Sequence, residues 1–139
     1  MRRSGVTLID QLLAISLLGI TMAITIHGAG SVRDRFAVRT AARAVREALG
    51  LAREQAIAGG ARAAVRFGSR DGTVTVFMSG DSLHRARLTH TYGVTLDATR
   101  DSMAYLPSGL GYGAANVRLV LRRGAHADTV TVSRLGRVR

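Results

Sequence analysis

The chain has 139 residues and a formal charge of +11 from 20 basic and 9 acidic groups; every base is arginine and there is no cysteine. A disulfide framework and a thiolate metal site are therefore excluded. The surplus of arginine fits anionic partners such as nucleic acid, lipid headgroups or acidic proteins, and equally the base composition of an arginine-rich genome.

Val6 to Ile26 is an apolar run of 21 residues. At about 1.5 Å per residue it rises roughly 31 Å as a helix, the thickness of a bilayer's hydrocarbon core. Arg2 and Arg3 precede it and favour a cytoplasmic N-terminus, although Arg33, Arg35 and Arg39 follow it. Within the run stands Asp10, and an unpaired charge at mid-bilayer is worth roughly 2.5–3.5 kcal/mol against insertion. A removable secretory signal fits poorly, because His27-Gly28-Ala29 is a weak cleavage site and Asp10 interrupts the apolar region. A plain signal anchor accounts for the length and leaves the acid unexplained. Gly19 and Ala23, with Ala14 and Ser16 nearby, are small residues that allow close helix approach.

His27-Gly28-Ala29-Gly30-Ser31 is expected to bend or loosen the helix after the run. From Val32 the helical period resumes. Val38, Ala41, Ala42, Val45, Ala48, Leu49, Ala52 and Ala56 form a stripe at spacings of three and four, and Gly59-Gly60 ends it. Period two takes over at Ala63, Val65 and Phe67. Ser69-Arg70-Asp71-Gly72 reads as a hairpin turn, with Val74, Val76 and Met78 as the returning strand. Leu83–Thr89 and Tyr92–Leu96 read as weaker strands, and Met103–Leu106 as a short one before Pro107-Ser108-Gly109. Val117, Leu119 and Leu121 alternate with Arg118 and Arg122, and Val130 and Val132 mark the last strand. The fold class is α+β, one long helix followed by antiparallel strands.

No catalytic constellation emerges. His27, His84, His90 and His126 lack metal-ligand spacing, and Ser79, Asp81, Ser82 and His84 read as a turn. No enzyme activity, cofactor or metal is expected.

Ser4-Gly5-Val6-Thr7-Leu8-Ile9-Asp10-Gln11-Leu12-Leu13 resembles the type IV prepilin leader, usually Gly-Phe-Thr-Leu-Ile-Glu-Leu-Leu. Val6 replaces the usual phenylalanine and Asp10 the usual glutamate, each keeping its chemical type. The resemblance implies cleavage after Gly5 by a prepilin peptidase and methylation of the new amine at Val6. Asp10 would then pair with such an amine on a neighbouring helix, so that two charges costly in lipid offset one another and set the register of assembly.

Three downstream stretches resemble the GspH/FimT group: Leu49–Ile57 its helix end, Tyr105–Gly109 its Phe-x-Pro-x-Gly segment, and Thr131–Arg139 its closing Val-Ser-x-x-Gly-Arg-x-Arg. The stretch Asp71–Arg100 matches poorly. The resemblance implies a pilin-like fold and a minor pseudopilin of type II secretion or a minor type IV pilin, acting at filament initiation or at the tip. It also implies an organisation: leader 1–5, membrane-spanning assembly helix 6–27, amphipathic continuation 28–60 and sheet domain 61–139. The partners would be other pilins or pseudopilins, the peptidase and an inner-membrane assembly platform. The chain would be single-pass in the bacterial inner membrane with its domain periplasmic, ready to enter a periplasmic or surface filament. The alternative is a DNA-binding minor pilin, through Gly136, Arg137 and Arg139 on a mobile tail, with Arg134, Arg118, Arg122 and Arg123 extending the patch.

Overall fold

The computed structural model describes residues 7–113 and 116–139, with their side chains except at 23–29. The chain forms two compact units, one ending at Arg33 and the other Asp34–Arg139. Helix α1 (Leu8–Ala58) runs through both. Its helical hydrogen bonding continues across 27–31, so the glycines there do not end it. It stops at Ala58, where Gly59 N–H bonds the Gln55 carbonyl at 2.9 Å and Gly60 takes a positive φ of 59°.

In the first unit, α1 is apolar on all sides. Leu8, Ile9, Leu12, Leu13, Ile15, Leu17, Leu18, Ile20 and Met22 are all well over half exposed. Such a helix needs an apolar surrounding, lipid or other helices. The hydroxyls of Ser16 and Thr21 fold back on helix carbonyls, at 2.8 Å to Leu12 and 2.9 Å to Leu18. Among the described residues no helix is long and apolar enough to cross a membrane. The fully described part of the expected span, 7–22, is shorter than the roughly 20 residues a crossing takes. Gly5 and Val6 lie outside the described residues.

In the second unit every residue of the Val38–Ala56 stripe is buried. The stripe shares one core with two antiparallel sheets. The first sheet has the order β3-β2-β1-β5, from β1 (Ala63–Gly68), β2 (Thr73–Met78), β3 (Asp81–Arg87) and β5 (Ser102–Tyr105). The second has the order β4-β6-β7, from β4 (Thr95–Ala98), β6 (Val117–Arg123) and β7 (His126–Val132). Inward residues alternate along β1 and β6, with Arg118 and Arg122 facing out. The hairpin expected at 69–72 joins β1 to β2 in register, Phe67 opposite Val74.

Three expectations need correction. The strand expected over Leu83–Thr89 ends at Arg87, where a short helix α2 (Leu88–Tyr92) begins. The strand expected over Tyr92–Leu96 is β4, starting at Thr95. The reason is tertiary: Leu88 is fully buried and its N–H bonds the Gly72 carbonyl at 2.8 Å, while Gly93 in a left-handed conformation stops the helix. Finally, the closing segment is hydrogen-bonded to the sheet rather than leaving it as a free tail. Gly136 N–H closes a turn on the Ser133 carbonyl, and Thr131 and Arg139 exchange two backbone bonds of 2.9 Å. Residues 137–139 thus run back along β7, with Val138 in an isolated antiparallel bridge to Val132.

Candidate functional site

The start of α1 is built around Asp10. Its Oδ2 accepts bonds from Thr7 N–H at 3.0 Å and Thr7 Oγ1 at 2.7 Å, and Thr7 Oγ1 in turn accepts Asp10 N–H at 3.3 Å. This is a capping box with aspartate in place of glutamate: Thr7 caps the helix and the third helical residue reaches back to it. The signature of this cap in the sequence is Thr-x-x-Asp before an apolar run. Only one carboxylate oxygen is engaged in these bonds, so acceptor capacity remains for a second donor. Both residues are exposed.

The other motif residues converge far along the chain. Arg53 Nε donates to the Gly109 carbonyl at 3.1 Å. Gly136 is buried with φ +73°, and a Cβ there would lie 2.5 Å from the Gly109 oxygen and 3.1 Å from the Tyr105 ring. The helix end, the Tyr105–Gly109 segment and the closing glycine therefore meet at one packing point. Gly136 is there because no side chain fits. Tyr105 is fully buried and its hydroxyl has no partner among the described residues. Burial pushes that hydroxyl up to about 12, against a smaller opposing pull from the Arg53 guanidinium.

Beyond Gly136 the chain runs back beside β7, and Arg137 and Arg139, either side of the bridged Val138, are both exposed. Arg118 is opposite Thr131 in the β6–β7 register, and Thr131 bonds Arg139. Arg118 also exchanges bonds with Thr99, accepting its N–H at 3.0 Å and donating to Oγ1 at 3.1 Å. Thr99, Arg118, Thr131 and Arg139 thus form a row across the sheet. A groove of about 720 Å³ runs along this face, and Arg100, Arg118, Arg137 and Arg139 line it with no aspartate or glutamate among the lining residues. Guanidinium groups so placed repel one another and are suited to a phosphate-bearing or carboxylate-bearing partner.

The other arginines of the expected patch go elsewhere. Arg134 does not line the groove; its carbonyl accepts Gly111 N–H. Arg123 is paired with Asp34 at 2.7 Å and donates to the Tyr92 carbonyl. Arg122 is exposed at the opposite end of β6. Arg100 is the groove residue that sequence reasoning missed; it lies in the poorly matching stretch, and no motif marks it. His84, His90 and His126 sit on β3, α2 and β7, and among the described residues no cluster suited to a metal forms.

The family model of the type II transport protein GspH matches residues 41–136. The match begins in the second half of α1 and ends at Gly136, before Arg137. Among solved structures, the type IV minor pilin FimU of Pseudomonas aeruginosa is similar with a TM-score of 0.64 and 13% identity, over 76% of this chain and 88% of that one. The minor pseudopilin EpsH of the type 2 secretion system of Vibrio cholerae is similar with a TM-score of 0.60 and 20% identity, over 73% of this chain and 94% of that one. At these identities the likeness is one of fold. No curated protein sequence matches the chain.

Proposed function

We propose that this chain, which belongs to the GspH family of type II transport proteins, is made as a precursor, cut after Gly5 and assembled as a minor subunit at the start or tip of a pseudopilus or type IV pilus. The family is one of structural filament subunits, so the chain is not an enzyme. The observation that carries the finer reading is Asp10, an acid in the first turn of a helix that is apolar all round, five residues after a glycine. Cleavage exposes an ammonium at Val6. Asp10 answers it on a neighbouring helix, and residues 6–27 hold the subunit in the inner membrane until that pairing draws it into the filament.

Asp10→Asn separates charge from capping, because the amide still offers Thr7 an acceptor. Co-purification of the tagged chain with its sibling subunits is expected to fall by roughly tenfold in Asp10→Asn and to vanish in Asp10→Lys. Assembly of Asp10→Asn at the wild-type level would refute the charge pairing.

A second reading, binding of DNA, is favoured by the four-arginine groove without aspartate or glutamate. Phosphates would lie along the Arg118–Arg139 row without base contacts. Arg137→Ala with Arg139→Ala is expected to leave filament entry unchanged. It should reduce the slope of log affinity against log salt by about 0.7–0.9 for each phosphate contact removed. Absence of DNA retention by the wild-type chain at low salt disposes of this reading.

A further inference from the structure

The outward face of the first sheet carries a separate cluster of arginines. In the register of β1, β2 and β3, Arg66 lies opposite Thr75, and Thr75 opposite Arg85. One step nearer the β1–β2 turn, Gly68 lies opposite Thr73, and Thr73 opposite Arg87. Val74 and Val76, the neighbours of Thr75 along β2, are fully buried in the core, so these six residues share the other face. With Phe77 and Asp71 they enclose a groove of about 290 Å³. Gly68, Thr73 and Thr75 make its floor. A Cβ at Gly68 would lie 2.5 Å from Thr73 Oγ1, so a residue without a side chain leaves the floor open there. Thr75 is 6% exposed, and its hydroxyl has no hydrogen-bond partner among the described residues. Unlike the Tyr105 hydroxyl it is not sealed, so it opens on the groove that the residue lines. Arg66 is held at one side of it, its guanidinium over the Phe77 ring at 5.6 Å from the centroid. The acid of the lining, Asp71, sits in the turn and forms no ion pair with the three guanidinium groups.

We propose that this groove binds the terminal phosphate of a phosphomonoester. Arg66 and Arg85 rise from the strands on either side of β2, whose backbones are roughly 9–10 Å apart, with the Thr75 hydroxyl between and beneath them. Donors therefore face one point from three directions. A terminal phosphate offers three free oxygens to them, whereas a phosphodiester or a carboxylate offers two. Guanidinium forks match phosphate oxygens in pairs, and a buried hydroxyl without a partner gains one by donating to the third oxygen. Arg87 adds a third cation beside Thr73, so the groove keeps a surplus of positive charge over Asp71. Arg66, Arg85 and Arg87 are all exposed, which leaves the groove open outward for the group that the phosphate carries. The site lies wholly within the sheet domain and does not depend on the membrane or filament reading.

The test titrates the full chain in detergent micelles with methyl phosphate at constant ionic strength, and follows the backbone amide resonances by NMR. Saturable shifts are expected at Arg66, Thr75 and Arg85. Thr75→Val keeps the shape of the side chain and removes the hydroxyl, and it should raise the half-saturating concentration by roughly tenfold. Arg85→Ala should raise it by roughly tenfold or more. Arg43→Ala removes an exposed arginine of α1 outside the groove and should leave it unchanged. Resonances of the core residues, unmoved in each variant, report that the fold persists. Wild-type affinity in both groove variants, an equal rise in Arg43→Ala, or shifts that grow without saturating overturn the site. Dimethyl phosphate binding as tightly as methyl phosphate overturns the terminal phosphate as the group recognised. Saturation by inorganic phosphate with methyl phosphate excluded overturns the ester as its source.

Discussion

Tyr105 stands where the resembling family usually carries phenylalanine, and the structure shows what the extra oxygen meets. The ring packs against Gly136, and the hydroxyl is sealed in the core without a partner. A buried unpaired hydroxyl costs about 1–3 kcal/mol. Tyr105→Phe is therefore expected to raise unfolding stability by about 1 kcal/mol near neutral pH, measured by urea titration. The same group sets an alkaline limit. Its folded value of about 12 lies above the ordinary 10.0, so its contribution is intact below pH 10 and is lost as the pH rises toward 12. The wild type should lose about 2–3 kcal/mol across that window, and the phenylalanine variant should lack that component of the loss. A variant less stable than the wild type at neutral pH would mean that the hydroxyl has a partner after all. Residues 105 and 136 were legible as a motif, yet their contact was not, because it depends on a turn and a returning strand that close only in the folded chain. Asp10 shows the opposite case: its cap is local, and Thr-x-x-Asp contained it.

The α1 stripe was readable because burial and period coincide there: residues at spacings of three and four are those the sheets cover. Its alanines are buried in the core that the helix shares with the sheets. Ala48 is 1% exposed, and Ala48→Leu is expected to cost about 1–3 kcal/mol through overpacking, read as a lowered urea midpoint with the slope unchanged. A midpoint equal to the wild type would show slack at this contact. The same rules failed over 83–96, where Leu88 and Val94 are buried by contacts distant in sequence rather than by a strand's own alternation. There Leu88 hydrogen-bonds to Gly72, and Thr89 Oγ1 reaches the Val94 carbonyl at 2.7 Å. The returning tail carries a turn signature in Ser133–Gly136, followed by alternation at Arg137, Val138 and Arg139. A terminal run of arginines resembles a solvated end, and that resemblance masks the signature.

Taken together, the charge of +11 is not spread evenly. Among the described residues ion pairs join Asp34 to Arg123 and Asp128 to Arg46. Most other arginines of the sheet domain are exposed, and such a surplus of outward guanidinium groups favours association with anions over self-association. That arrangement fits the proposed role of a filament subunit with a cationic sheet face. The proposed pairing requires an N-terminus remade by cleavage, since only then would Asp10 meet a cation in an apolar setting. The direct measurement is intact-mass spectrometry of the native chain recovered from filament-assembling cells. The account predicts a polypeptide that begins at Val6 with a methylated amine. Assembled material still carrying Met1 through Gly5 would contradict it.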